Sequence, residues 1–383
     1  MGARAKPLPD ATPLGARLKQ RIVRDGPISV HDYMESCLAD RSEGYYPTRQ
    51  PIGRDGDFIT APEISQIFGE LIGAWAGAVW QEMGAPSRMT VAELGPGRGS
   101  LMQDALRVFR TVPKLAGSLD LALIETSPVL REVQGETLRD SPAPLNWLER
   151  IEDVPQGPLI LIANEFIDAL PIQQMLRGNG TWHERAVTIG ADGGFAFCTG
   201  EPMPSDAVPA SMHSMDPNEG AIAELRPAAA TLLASLAARA KHAPLAALIA
   251  DYGHDAGGIG DTLQAVARHQ FADPLAAPGQ ADLTAHVDFA TLRQTARDLG
   301  LSTFGPMPQG EFLLKLGLEA RLERLIRNAT EDQKAALLSG AARLVDSSQM
   351  GALFKVLVLQ SSGLAPPPPF GDSWSAKPPP PPW

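Results

Sequence analysis

The chain is poor in cysteine: Cys37 and Cys198 are the only two in 383 residues. Two thiols cannot build a disulfide framework or a four-ligand structural zinc site, so a reducing compartment is expected. Long apolar runs are missing too. None approaches the ~20 residues that cross a hydrocarbon core, so no membrane span is expected. Basic residues are outnumbered, with Lys+Arg 33 against Asp+Glu 44 and a net charge of −11. A chain of that sign does not neutralise phosphates; nucleic acid is excluded as a general partner, and a basic partner or substrate fits instead. Histidine is sparse, and His31, His254 and His269 share no metal-ligand spacing, so no metal site is expected. Proline is abundant at 35, partly in two blocks at 366–369 and 378–382 that read as an extended tail. What remains is a cytoplasmic α/β enzyme.

Apolar residues recur at helical spacing over 14–22, at Tyr33, Met34, Cys37 and Leu38, and over 63–83, where Ile67, Phe68, Leu71, Ile72 and Trp75 make one stripe. From residue 90 onward short apolar runs alternate with helical patterns. Strands are predicted at 90–94, 119–125, 159–163 and 245–250, and helices at 100–109 and 129–138. Such alternation predicts a mostly parallel sheet covered on both faces, with ligands beyond the carboxyl ends of its strands. Residues 171–201 alternate as β hairpins around Gly178-Asn179-Gly180 and Asp192-Gly193-Gly194. Residues 310–350 read as helix, with a leucine face on which a second copy could pair as a homodimer, and 354–359 as a last strand. The expected organisation is a helical, cofactor-covering region at 1–84, a core at 85–170 and 244–362 with a helical insertion near 310–350, an inserted β and helical substrate region at 171–243, and the tail at 363–383.

The most informative segment is Val91-Ala92-Glu93-Leu94-Gly95-Pro96-Gly97-Arg98-Gly99-Ser100. A strand runs into a glycine turn and then a helix N-terminus, which bares backbone to a ligand. Ser100 stands where a dinucleotide fingerprint has its third glycine, and Glu93 would repel a pyrophosphate while attracting a sulfonium or ammonium. Glu125 ends the next strand, placed to accept both hydroxyls of a ribose, and lies farther on than the ~20 residues of the dinucleotide fingerprint. These features favour S-adenosylmethionine, with Glu93, Gly95, Pro96, Gly97, Gly99 and Glu125 as its contacts. An ordinary strand–helix turn is the alternative.

Glu93-Leu94-Gly95-Pro96-Gly97-Arg98-Gly99 resembles motif I of the class I methyltransferases. An ordered set of further blocks resembles the MidA-like family over nearly the whole chain: Gly44-Tyr45-Tyr46, then Gly56-Asp57-Phe58-Ile59-Thr60-Ala61-Pro62-Glu63-Ile64-Ser65 and Phe68-Gly69-Glu70. Asn164-Glu165-Phe166-Ile167-Asp168-Ala169-Leu170-Pro171, Asp251-Tyr252-Gly253, Asp282-Leu283-Thr284-Ala285-His286-Val287-Asp288-Phe289 and Met350-Gly351 complete it. Residues 262–269 depart from the pattern, with Val266 and Ala267 in place of an aromatic and a basic residue, and so does the proline tail. The resemblance implies a Rossmann-like, mostly parallel seven-stranded sheet, S-adenosylmethionine as cofactor, and methylation of a protein arginine. By the same resemblance the substrate is a respiratory complex I subunit during assembly, the location cytoplasmic in bacteria and the mitochondrial matrix in eukaryotic relatives. The rival readings are a non-catalytic complex I assembly factor that keeps the cofactor fold, a small-molecule methyltransferase, and a nicotinamide dehydrogenase.

Methyl transfer from a sulfonium is an in-line displacement, so alignment carries much of the catalysis. An arginine acceptor also needs carboxylates to hold its permanent charge and one to take a proton. Asn164, Glu165 and Asp168 are the catalytic candidates, with Asn164 also near the cofactor; a helical turn at 166–170 would put both carboxylates on one face. Helix capping by Asn164 is the competing role. Asp57, Thr60, Pro62, Glu63 and Ser65 are candidates to cover the cofactor, or else a capping box opening the next helix. Tyr45, Tyr46, Asp251, His286 and Asp288 are the candidates for the substrate side, against the structural roles that tyrosines and lone histidines commonly fill.

Overall fold

The apolar runs become the strands of one central sheet. In the computed structural model, which describes residues 12–49, 60–204, 208, 217–255 and 257–371, they are β1 (Met89–Leu94), β2 (Leu119–Ile124), β3 (Leu145–Leu148), β4 (Leu159–Asn164), β5 (Leu245–His254), β6 (Ser302–Pro308) and β7 (Phe354–Gln360). Across the sheet the order is β3-β2-β1-β4-β5-β7-β6. β7 is antiparallel to both neighbours and every other pairing along this order is parallel. β1 and β4 are buried along their whole length, which is why they read as continuous apolar runs rather than alternating ones. The chain leaves β1 for β2 and β3 on one side and returns to β4 on the other. The switch point therefore falls between β1 and β4, where such sheets bind ligands.

Alternate residues of the strands enter two separate cores. Val91, Leu121, Ile160 and Leu248 meet α3 (Gln66–Glu82) and α4 (Ser100–Phe109) on one face. Those two helices approach closely at Gly69 and Gly73, where an added Cβ would lie 2.6 Å from Asp104 Cβ and 2.7 Å from Ala105 Cα. Ala92, Leu161, Ala247 and Ile249 meet α6 (Pro227–Ala240) and α7 (Phe289–Asp298) on the other. The sequence reading put α6 in the inserted region; its Leu233 and Leu236 pack on the sheet.

The helix predicted over 63–83 is two helices, Ala61–Ile64 and α3. Ser65 breaks them apart with extended backbone at φ −156 and ψ 131, and its hydroxyl accepts the Ile67 N–H at 3.3 Å as the N-cap of α3. A second, antiparallel sheet joins Gln173–Gly178, Thr181–Ile189, Phe195–Pro202 and Ile222–Leu225 with Ile28–Ser29 from far upstream. A small third sheet holds Gln264–Ala267, Gln270–Ala272 and Asp282–Thr284. These sheets share a core with α1 (Pro13–Asp25) and α2 (Val30–Ala39), through Leu14, Tyr33, Val187, Ala265 and Leu283. The helical insertion is pinned to α3 by Arg321, which forks both oxygens of buried Glu70 at 2.8 Å. Among the described residues no helix is long and apolar enough to cross a membrane.

Candidate active site

The glycine turn leaves β1 through three left-handed residues, Gly95, Gly97 and Gly99, at φ 57, 54 and 82. A Cβ on Gly95 would lie 2.9 Å from the Phe166 ring. Gly99 is the N-cap of α4 and offers no side chain to its first N–H groups, which leaves donors for a ligand. Below the turn, Glu93 is only 3% exposed and its Oε2 has no partner. Burial pushes that carboxyl up to about 8. Glu125, at the end of β2, accepts the Ser127 N–H at 2.8 Å and Gln134 Nε2 at 3.2 Å, and burial raises its carboxyl as well. Gln134 was not foreseen. It is fully buried, donates at 2.8 Å to the Gly97 carbonyl, and is itself fixed by Trp147 Nε1 at 2.8 Å. A glutamine on an otherwise ordinary helix gives no local signal of this role.

The loop after β4 is not the helical turn expected at 166–170, so the capping role falls with it. Glu165 takes a left-handed φ of 49, and the next three N–H groups, of Phe166, Ile167 and Asp168, converge on Asp251 Oδ2 at 3.2, 2.9 and 3.2 Å. On the carbonyl side Arg226 donates to Asp168, Leu170, Ala285 and His286 at 3.4, 3.2, 2.9 and 3.4 Å. A carboxyl holding the N–H groups and a guanidinium holding the carbonyls fix the loop from both sides. Glu165 Oε1 accepts the Ala61 N–H at 2.9 Å and Asn164 Nδ2 at 3.3 Å; burial raises its carboxyl to about 7. Burial raises Asp168 too, against the opposing pull of Tyr252 and Arg226. Asn164 Oδ1 and Asp168 Oδ1 are buried without partners.

Thr60, Pro62 and Glu63 line a small cavity of about 40 Å³ with Glu93, Gly95, Pro96, Gly97, Asn164 and Glu165. The capping box is absent: Thr60 makes no side-chain cap bond, and Glu63 instead accepts from the Ser100 hydroxyl on α4. Ser65 is the α3 cap and lines none of these cavities, a correction to its expected cofactor contact. Asp57 lies outside the described residues. A larger cavity of about 330 Å³ shares Thr60, Gly95, Gly97 and Glu165 with the small one. Its charged lining, among the described residues, is Glu35, Glu125, Glu149, Glu165, Asp168 and Asp282, with no Lys, Arg or His.

The expected substrate side divides. Tyr46 lines the large cavity and donates to Asp282 Oδ1 at 2.9 Å. Tyr45 is fully buried and packs edge-on against Tyr46 at 5.4 Å, supporting it from behind. Asp251 is fully buried beneath the loop and does not line the cavity. His286 and Asp288 face a different cavity, of about 210 Å³, with His254, Glu224 and Arg226. Asp288 caps α7 through the Thr291 N–H at 3.1 Å, and the His286 ring meets the edge of Tyr252, ring centres 5.5 Å apart. Both are corrected to neighbours of the acceptor cavity. Two residues that sequence reasoning missed, Tyr252 and Asp282, line it directly.

A central sheet of seven main strands, one of them antiparallel, with the short Val287–Asp288 paired beside β5, and a carboxylate-lined cavity at its switch point, define a class I S-adenosylmethionine-dependent methyltransferase. The unpartnered Glu93 oxygen and the uncapped glycine turn fit a cofactor with a positive sulfur and an ammonium. A family model described as "Putative S-adenosyl-L-methionine-dependent methyltransferase" matches residues 71–307. The chain is similar to the protein arginine methyltransferase NDUFAF7 homolog, mitochondrial, of Drosophila melanogaster, at 36% identity over 92% of this chain and 86% of that one. It is 35% identical to the Homo sapiens protein arginine methyltransferase NDUFAF7, mitochondrial, over 91% and 83% of the two chains. Among solved structures it resembles a "likely methyl transferase from Burkholderia thailandensis bound to S-adenosyl-homocysteine", with TM-score 0.79 and 26% identity, covering 94% of this chain and 97% of that one. The chain belongs to this family of S-adenosylmethionine-dependent methyltransferases, and S-adenosylmethionine is its cofactor.

Proposed function

We propose that the chain methylates an arginine of a protein, a respiratory complex I subunit during assembly. The observation that carries the reading is the cavity beside the glycine turn whose charged lining, among the described residues, is all carboxylate, and in which Asp168 Oδ1 is buried without a partner. A guanidinium keeps its charge in any such pocket and is best held by carboxylates. The NDUFAF7 relatives, named as protein arginine methyltransferases, support the acceptor. Glu93, Gly95, Pro96, Gly97, Gly99 and Glu125 hold the cofactor, covered by Thr60, Pro62 and Glu63. When bound, S-adenosylmethionine supplies a methyl group on positive sulfur. Glu165 and Asp168 orient the acceptor, with Asn164 fixing Glu165. The Glu165 carboxylate would take the proton that leaves the arginine nitrogen when that nitrogen accepts the methyl group. The setting is a reducing one, the bacterial cytoplasm. The leucine face expected to pair with a second copy is instead buried in this chain's own core, through Phe312, Leu313, Leu316 and Leu318.

The test is mass spectrometry of complex I subunits after incubation with the full chain and trideuteromethyl-labelled S-adenosylmethionine. A labelled arginine is the expected result. Label confined to small molecules, or a deletion strain whose arginines stay methylated while assembly fails, overturns the proposal in favour of a small-molecule enzyme or a chaperone respectively.

A further inference from the structure

The large cavity has a buried wall and an exposed mouth. Glu35 and Glu149 are exposed, whereas Asp168 and Asp282 are 6% and 5% exposed. Asp282 comes from the small third sheet, and Tyr46 reaches it from the segment after α2, across 236 residues of sequence. Tyr252, from the end of β5, closes the same wall; its hydroxyl donates to Thr284 Oγ1 at 2.5 Å and accepts from Gln264 Nε2 at 3.3 Å. Burial, reinforced by the nearby Asp168 and Asp282 carboxyls, lifts both tyrosine hydroxyls far above their usual range, so each stays a neutral donor. The Tyr46 bond fixes the Asp282 carboxyl, and the clamp of Asp251 and Arg226 fixes the loop bearing Asp168.

We propose that Asp168 and Asp282 form a two-sided socket for the acceptor guanidinium, and that Asp282, held by Tyr46, selects arginine over lysine. The proposal rests on the arginine reading above. A guanidinium is a planar fork with five donors, so it can present one edge to Asp168 and another to Asp282 while a nitrogen still faces the cofactor. An ammonium is a compact charge whose three donors share one nitrogen, so it cannot present separate edges to two carboxylates across a socket. The second carboxylate therefore adds more for arginine than for lysine. The buried, unpartnered Asp168 Oδ1 marks this wall as awaiting a donor.

The experiment is ligand-observed NMR on the full chain saturated with S-adenosyl-homocysteine, using N-acetyl-arginine amide and N-acetyl-lysine amide as probes. The wild type is expected to bind the arginine probe roughly tenfold more tightly than the lysine probe, the scale of one charge-assisted contact. Asp282→Asn is expected to erase that preference by weakening arginine, with S-adenosyl-homocysteine affinity unchanged. Tyr46→Phe keeps the carboxylate and loses only its anchor; it is expected to lower arginine binding about threefold, and it serves if the asparagine variant does not fold. Equal binding of both probes by the wild type, no binding of the arginine probe by cofactor-loaded protein, or an unchanged preference in both variants overturns the socket. Arginine labelling with no role for Asp282 would sink the socket alone; absence of arginine labelling sinks the functional reading beneath it.

Discussion

Replacing Glu93 with Gln separates the cost of a buried carboxyl from its use. With Oε2 unpartnered, the group sits at about 8 instead of 4.5 in the folded chain, because burial penalises its charge. A raised folded value means that the neutral form stabilises the fold fully below about pH 4.5, and that this contribution is lost as pH rises to about 8. At ~1.4 kcal/mol per unit the loss is on the order of 3–5 kcal/mol once the carboxyl ionises. Unliganded Glu93→Gln should therefore be more stable than wild type at pH 9 and indistinguishable at pH 4.5, as read by urea unfolding. On the proposed role binding reverses the balance, because a cationic cofactor would favour the carboxylate. Wild-type affinity for S-adenosylmethionine should climb up to about tenfold per unit from pH 6 to 8, with close to one proton released by the carboxyl at pH 7. The variant should lose that release and bind ~10–100-fold more weakly at pH 8, the worth of a charge-assisted hydrogen bond. Titration calorimetry in two buffers of different ionisation enthalpy reads both quantities. The ligand's own ammonium titrates in both proteins, so the difference isolates Glu93. A variant no more stable than wild type at pH 9, or one that releases as many protons, would refute the reasoning.

Gly95→Ala places a Cβ in a left-handed backbone and against the Phe166 ring, so cofactor affinity should fall at least tenfold, with ~1–2 kcal/mol of stability lost; unchanged calorimetry would contradict it. Because burial holds Glu165 of the ligand-free chain at about 7 and the proposed role has its ionised form take the proton, kcat/KM for the acceptor should rise with pH through about 7, and Glu165→Gln should remove that inflection. A flat wild-type profile would clear Glu165 of the role. Arg226→Gln releases the carbonyl side of the 165–170 loop; kcat should drop ~10–100-fold, as for misplacement of catalytic groups, with S-adenosyl-homocysteine affinity within about twofold. Arg321→Gln removes the forked partner of Glu70, 1% exposed, which keeps Arg107 at 3.7 Å and Gln66 at 3.2 Å, and should cost on the order of 1–3 kcal/mol in denaturant unfolding.

The sheet was legible because its strands are buried on both faces, so 90–94, 159–163 and 245–250 stand out as apolar runs with no competing helical stripe. The glycine turn was legible for a local reason as well: strand, glycines and helix are contiguous, and Glu93 lies beside them. The acceptor side was not. Its loop looks like the start of a helix, yet its N–H groups belong to Asp251, more than eighty residues away in the chain. Helical spacing of Glu165 and Asp168 was therefore the wrong geometry for residues that do share a cavity. His286 and Asp288 adjoin Asp282 in sequence, but the strand Asp282–Thr284 ends between them and the cavity, and they turn to the space beside His254. Ser65 failed for the opposite cause: its hydroxyl is engaged locally, by the Ile67 N–H at the start of α3. Pairings such as Tyr46 with Asp282 depend on how the helix Tyr45–Thr48 docks against the third sheet, and no short pattern encodes that.

The most direct measurement is a crystal structure of the full chain with S-adenosyl-homocysteine. The expected result has the ribose hydroxyls on Glu125, the amino group beside Glu93, and the sulfur opening onto the cavity of Glu165 and Asp168. A cofactor seated elsewhere, or a sulfur facing the His254 and His286 cavity, would contradict it.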